Sequence, residues 1–175
     1  IKGARKWGYD VKGIPYPEGE IIVFEGNFHG RTTTIVGFST DPDSTSRFGP
    51  FTPGFRIVPY GAVEAVRAAI TPRTCAILVE PIQGEGGYLV PPDGFLAGLR
   101  ALCDEHGILL IFDEVQSGVG RTGRMFACEH WGVRPDIMTT AKGLGSGLPI
   151  GAVVAKRSVM EHWKRGAHGN TYGGN

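Results

Sequence analysis

The sequence has few cysteines, no excess of charge of either sign and no long hydrophobic run. Its cysteines, Cys75, Cys103 and Cys128, are odd in number and widely spaced, with no CxxC pair. This pattern argues against a zinc site or a disulfide framework and favours a reducing, cytoplasmic setting. The 18 Lys and Arg residues nearly balance the 17 Asp and Glu residues, for a formal net charge of +1. We therefore expect no nucleic-acid partner, because such partners select a basic surface.

The apolar content is that of a globular domain. The longest aliphatic and aromatic run is Ile108 to Phe112, far shorter than the roughly 20 residues that cross a membrane as a helix. Hydrophobic residues make up 41% of the chain, enough to bury a core and argue against disorder. We expect one domain, no membrane partner and no metal, since no histidine has a second ligand at metal-binding spacing.

Apolar runs alternate with helical patterns along the chain. A helical pattern covers Ala62–Ile70, and another runs from Asp93, as its predicted N-cap, to Gly107 as its C-cap. A short helix is predicted over Met125–Trp131, and a last helix runs through Lys164 with Ser158 as its predicted N-cap. Strands are predicted at Ile21–Phe24, Arg56–Tyr60, Ala76–Glu80, Ile108–Phe112, Asp136–Ala141 and Gly151–Ala155.

The predicted strands are continuously apolar, which is typical of a sheet buried on both faces. Strand–helix–strand order favours parallel pairing with right-handed crossovers. The predicted fold class is therefore α/β, a three-layer arrangement with a mostly parallel sheet flanked by helices. Residues 39–55 are rich in Pro, Ser and Gly and form a long connection, predicted to be a functional or interface loop.

Three charged residues fall where the predicted strands end, namely Glu80, Asp113 and Lys142. In parallel sheets, function gathers at the carboxyl ends of the strands. A lysine amine can form a Schiff base with an aldehyde cofactor, and pyridoxal phosphate also needs an acid facing its pyridine nitrogen. Each residue alone is more often a structural acid or a surface charge, but Asp113 and Lys142 together favour this cofactor.

Two other motifs point to nucleotide chemistry, and both are incomplete. Residues 118–123 match GxGxxG, but a dinucleotide site needs the first glycine directly after the strand, and residues 114–117 intervene. The run Ile108–Glu114 is similar to the magnesium-binding acidic strand of P-loop ATPases, but no GxxxxGK[ST] motif precedes it. A nucleotide hydrolase remains the rival enzyme class, and it predicts magnesium-dependent nucleotide binding without a reactive lysine.

The longer motifs resemble a known family. Five blocks, in the expected order, are similar to signatures of class-III pyridoxal-phosphate aminotransferases, in the branch that uses ornithine, acetylornithine or 4-aminobutyrate. The resemblance implies an aspartate-aminotransferase-like fold (fold type I), with residues 1–175 as part of its cofactor-binding large domain. A phosphate-binding segment is then expected before residue 1 and a switch arginine after residue 175, so the chain would be an incomplete enzyme. The blocks are residues 27–32, 79–87, 112–124, 135–143 and 170–175.

The resemblance also implies roles around pyridoxal phosphate. Lys142 resembles the catalytic lysine, which forms the internal aldimine with the cofactor and shuttles a proton. Asp113 resembles the partner of the pyridine nitrogen, and Gln116 the partner of the phenolic oxygen. Val115 resembles the residue packed on one ring face, with Phe28 or His29 on the other. Thr171 resembles the hydroxyl that reaches the cofactor phosphate of the neighbouring subunit, which implies a homodimer.

On the substrate side, Arg31 resembles an arginine that holds a substrate carboxylate, and Glu80 an acid near cofactor and substrate. Glu85 resembles the acid that pairs with the switch arginine. The implied reaction moves an amino group from a 4-aminobutyrate-like donor to 2-oxoglutarate through pyridoxamine phosphate. Ornithine and acetylornithine are alternative donors, and an amino-acid racemase shares the chemistry. A non-catalytic piece that supplies only core and dimer surface is the alternative of another class.

Overall fold

The computed structural model describes residues 1–171 and 173, and it contains one six-stranded sheet in the order β2-β1-β3-β4-β5-β6. Strands β1 to β5 are all parallel to one another, and β6 pairs antiparallel with β5. This confirms the predicted α/β class with a mostly parallel sheet. The strands are β1 (Glu20–Phe24), β2 (Phe55–Val58), β3 (Thr74–Val79), β4 (Leu109–Asp113), β5 (Ile137–Thr140) and β6 (Ala152–Ala155).

Helices cover both faces of the sheet. On one face, α4 and α5 pack in a hydrophobic cluster with alternate strand residues such as Ile22 and Ile77. On the other face, α1 and α6 pack with the intervening residues, including Ile21 and Ala76. The helices are α1 (Lys2–Asp10), α2 (Thr33–Val36), α3 (Pro42–Thr45), α4 (Val63–Ala69), α5 (Phe95–His106) and α6 (Arg157–Met160), with 3₁₀ helices at Ala127–His130 and Lys142–Gly145.

The C-cap predicted for α5 is confirmed, but two predicted N-caps are wrong. Gly107 ends α5 in the left-handed region, with φ 57°, and its N–H donates to Cys103 O. The residue before α5 is Gly94 and not Asp93, because the chain turns through φ 78° there, a conformation that glycine adopts without a Cβ penalty. Ser158 lies inside α6, whose N-cap is Lys156.

Asp136 ties the sheet to two surrounding elements just before β5. Its side chain is 8% exposed, and it accepts hydrogen bonds from Leu110 N (2.8 Å) and Arg100 Nη1 (2.8 Å). Lys156 Nζ lies 2.6 Å from its other oxygen. Burial alone would raise the pKa of this carboxyl, but the Leu110 N–H and the two cations hold it below its ordinary value.

We expect Asp136→Asn to lower the free energy of unfolding by about 3 kcal/mol at neutral pH, because it leaves Arg100 and Lys156 without their buried counter-charge. The folded-state pKa lies below the unfolded value of about 3.9, so this stabilisation is complete above that pH and is lost on further acidification. Urea unfolding at a series of pH values measures it. The control, Asp10→Asn, breaks an exposed pair with Lys6 and should cost less than about 1 kcal/mol. Equal effects of the two variants would contradict the prediction.

Candidate functional site

Asp113 is the last residue of β4, and its carboxylate is fixed by three donors at the carboxyl edge of the sheet. Oδ2 accepts from His29 Nδ1 at 2.6 Å, and Oδ1 accepts from Val115 N at 3.0 Å and Thr139 Oγ1 at 3.1 Å. The residue is only 8% exposed. Burial by itself would raise the pKa of this carboxyl, but the hydrogen bond and charge of His29, with the other two donors, hold it below its ordinary value. Asp113 is therefore an oriented, ionised acid.

The His29 side chain is buried and hydrogen-bonded to Asp113. Its side chain is 3% exposed, and because an ionised carboxylate only accepts hydrogen bonds, Nδ1 must be the donor. Nε2 is buried and has no hydrogen-bond partner within residues 1–171 and 173. The sequence left Phe28 and His29 as alternative stacking aromatics. The bond to Asp113 uses only the edge of the imidazole and leaves its faces free, so it does not decide between the two.

A cavity of about 740 Å³ opens beside this carboxylate. Asp113, His29, Val115 and Thr139 line it, together with apolar residues of the sheet such as Ile111. The volume lies in the range of small-molecule and cofactor sites, roughly 300–1,000 Å³. A carboxylate offers about four lone-pair sites, so the three donors leave one for a ligand. The residues fit a flat heteroaromatic ring whose protonated nitrogen faces Asp113.

Lys142 lies at the same edge of the sheet but does not line this cavity. It begins the 3₁₀ helix that follows β5, three positions after Thr139, which is in register with Asp113. Its side chain is exposed and makes no hydrogen bond or ion pair to any part of the chain that the structure describes. Its backbone has φ 45°, a left-handed conformation that costs a non-glycine residue about 1–3 kcal/mol and is found mainly at functional sites.

Glu80 anchors two loops of the site from the end of β3. It is 4% exposed and accepts hydrogen bonds from Phe28 N at 3.0 Å and Gly84 N at 3.4 Å. Burial, opposed by the charge of His29 and the Phe28 hydrogen bond, raises the pKa of this carboxyl. One carboxylate thus holds both the backbone that carries Phe28 and the loop that carries Glu85.

The remaining predicted cofactor and substrate residues are exposed or partly exposed. Gln116 Nε2 donates to Glu85 Oε1 at 3.2 Å. Arg31 is exposed, and its guanidinium carbon lies 5.5 Å from the centroid of the Phe28 ring. Among the described residues, neither Glu80 nor Glu85 forms an ion pair with Arg31. Thr171 is exposed, and the end of its motif at positions 172, 174 and 175 lies outside the described residues.

Sequence reasoning missed the role of Glu114. This carboxylate is fully buried and accepts hydrogen bonds from Ser117 Oγ, Ala127 N (3.0 Å) and Cys128 N (2.8 Å). It closes the glycine-rich segment 118–126 into a loop, and no helix begins inside the GxGxxG motif. That geometry agrees with the rejection of a dinucleotide site. No local signal distinguishes this structural acid from Asp113 beside it, because the partners that define it lie across the loop.

Comparison with known proteins identifies the family. The family model described as aminotransferase class-III matches residues 1–175, so the chain belongs to the class-III aminotransferases. These enzymes use pyridoxal phosphate, and the ring that fits beside Asp113 has the chemistry of that cofactor.

Within the family, the chain is similar to ornithine and acetylornithine aminotransferases. The chain is 51% identical over 176 residues to an ornithine aminotransferase of Bordetella pertussis, covering 100% of this chain and 43% of that protein. A solved ornithine aminotransferase of Toxoplasma gondii superposes with a TM-score of 0.97 at 46% identity, over 99% of this chain and 42% of that one. A solved acetylornithine aminotransferase of Elizabethkingia anophelis superposes with a TM-score of 0.80 at 50% identity, over 98% of this chain and 42% of that one. The chain thus spans less than half the length of these relatives.

None of the helices in the described part of the chain is long and apolar enough to cross a membrane. No group of three or more His, Cys, Asp or Glu side chains within residues 1–171 and 173 is placed to hold a metal ion.

Proposed function

We propose that this chain forms the cofactor-binding part of an aminotransferase that moves the terminal amino group of ornithine to 2-oxoglutarate. The observation that supports it most directly is the ionised Asp113, fixed by three donors at the edge of a cavity of cofactor size. The sequence motifs favoured a 4-aminobutyrate-like donor, with ornithine as an alternative. The names of the relatives favour ornithine, so we adopt that alternative.

Asp113 and its donors would bind and orient the cofactor ring. Pyridoxal phosphate, when bound, supplies a ring that accepts the electron pair released when a C–H bond of the amino donor breaks. The free lone pair of Asp113 would accept a hydrogen bond from the ring N–H and keep that nitrogen positively charged, so that the ring accepts the electron pair more readily. His29 holds Asp113 in this orientation, while Val115 is the candidate to cover one ring face and Phe28 or His29 the other.

Lys142 is proposed to hold the cofactor covalently through Nζ and to move the proton at that atom. This role requires a neutral amine, because only the free electron pair of the nitrogen can attack the aldehyde carbon of the cofactor. The strained backbone at Lys142 supports a functional role, because strain of this kind persists where the surrounding structure over-determines it.

Arg31, Glu80 and Glu85 are proposed to select the substrate. The guanidinium of Arg31 is exposed and suits a substrate carboxylate, which it can bind by two parallel N–H···O bonds. Glu85 offers a negative charge on the same rim, and Glu80 fixes the loop that presents it. We further propose a cytoplasmic homodimer in which Thr171 reaches the cofactor phosphate of the neighbouring subunit, with residues 1–175 as part of the large domain.

The test is to add pyridoxal phosphate to the full-length protein, record the visible spectrum, reduce with borohydride and map the labelled peptide. We expect a yellow band, the label on Lys142, and amino transfer to 2-oxoglutarate with ornithine preferred over 4-aminobutyrate and acetylornithine. Absence of a band would contradict the cofactor assignment. A band with faster transfer from 4-aminobutyrate would contradict the donor, and inversion of an amino acid without any 2-oxoglutarate would indicate a racemase.

A further inference from the structure

The loop that carries Glu85 has a fixed base and an exposed tip. Gln83 and Leu89 close its base by two backbone hydrogen bonds of 3.1 and 2.9 Å. The Gln83 side chain is 1% exposed, and its Nε2 donates to Glu25 O at 2.8 Å, which ties the base to the end of β1. Glu85 itself is exposed, so its carboxylate is presented by a rigid support.

Gln116 is packed against this loop. A Cβ built on Gly84 would lie 2.7 Å from Gln116 Oε1, closer than real Cβ atoms come to other heavy atoms. Gly84 N also donates a hydrogen bond to the Glu80 carboxylate, which fixes the backbone that Gln116 contacts. This packing aims Nε2 at the carboxylate of Glu85, 3.2 Å away.

The same amide belongs to the segment that carries the cofactor acid. Val115, directly before Gln116, donates its N–H to Asp113 Oδ1 at 3.0 Å. The amide nitrogen has two N–H groups, and Glu85 accepts one of them. The other has no acceptor within residues 1–171 and 173.

We propose that Gln116 couples the carboxylate of Glu85 to the cofactor ring, so that pairing of Glu85 with a cationic group changes the ring's phenolic oxygen. The inference rests on the proposed function and on the family resemblance, which implies that Gln116 is the partner of that oxygen. Hydrogen bonds in a chain polarise one another. When Glu85 has no cationic partner, its carboxylate accepts strongly from one N–H of the amide, and the other N–H becomes a weaker donor. When a cation pairs with Glu85, that hydrogen bond weakens and the other N–H becomes a stronger donor. The cation would be an ammonium group of a diamino acid or a guanidinium.

The test is a double-mutant cycle on the pH titration of the visible cofactor band in the full-length protein. The variants are Glu85→Gln, Gln116→Met and the double variant, where methionine keeps the length of the side chain without its amide. We expect Glu85→Gln alone to move the midpoint by about half a pH unit. In the Gln116→Met background, we expect Glu85→Gln to move the midpoint of the titration by less than a third as much. Glu64→Gln, on the exposed surface of α4, is the charge-matched control and should not move the midpoint.

A second variant keeps the test independent of Gln116→Met. Gly84→Ala leaves both partners intact but displaces the amide, and it should reduce the response to Glu85→Gln in the same way. Equal shifts in all backgrounds would overturn the coupling, since Glu85 would then act through space. No shift on Glu85→Gln would overturn it as well. A full-length protein with no band at all overturns the proposed function together with this inference, whereas a normal band with additive shifts overturns only the coupling.

Discussion

Replacing Lys142 with alanine is expected to abolish the yellow band of the pyridoxal-phosphate-loaded protein and to lower kcat about 10⁴-fold. The size follows from the loss of the covalent attachment together with the proton carrier, since a positioned acid or base alone contributes roughly 10²–10⁴-fold. Absorbance spectroscopy and steady-state turnover with ornithine and 2-oxoglutarate measure the two effects.

Lys164→Ala is the matched control for Lys142→Ala. Lys164 is an exposed lysine beyond α6, and its removal should leave the band and the turnover unchanged. Borohydride label on any other lysine of the unchanged protein would assign the covalent role elsewhere. Retention of both the band and normal turnover by Lys142→Ala would contradict the assignment outright.

Replacing Asp113 with asparagine should lower kcat about 10³-fold while the protein remains folded. The amide has nearly the same shape but no charge, so it cannot keep the ring nitrogen protonated, and it presents an N–H₂ group where His29 Nδ1 or Thr139 Oγ1 now donates. The loss should fall mainly on kcat, because the ring charge matters most as the C–H bond breaks. Turnover, cofactor affinity and urea unfolding separate the chemical effect from loss of folding.

The pH dependence adds a second check on Asp113. Its pKa lies below the ordinary value near 3.9, so the carboxylate is ionised in the folded protein at and above that pH. Titration of Asp113 should therefore cause no change in kcat above about pH 5. The control is Asp104→Asn, an exposed acid on α5, which should keep normal turnover. A normal kcat in Asp113→Asn would contradict the role.

The local sequence determined the elements of the fold and the two principal site residues. Runs such as Ile108–Phe112 are apolar at every position, and this pattern requires burial on both faces of a sheet. The class of fold therefore follows without knowledge of any contact. The positions of Asp113 and Lys142 at the edge of the sheet follow as well, because each residue comes just after a predicted strand, and parallel strands end at one edge.

Only the tertiary structure decided how the site residues meet. His29 and Asp113 are 84 residues apart in the chain, and their hydrogen bond depends on the packing of β1 and β4 around β3. The antiparallel direction of β6 depends on the connection after β5, residues 141–151, which contains no crossover α-helix, while the residues of β6 are as apolar as those of a parallel strand. Glu114 and Asp113 are adjacent acids, yet one organises a loop and the other faces the cavity. Hydrophobic periodicity reports which residues are buried, but hydrogen-bond partners are set by where distant segments come together.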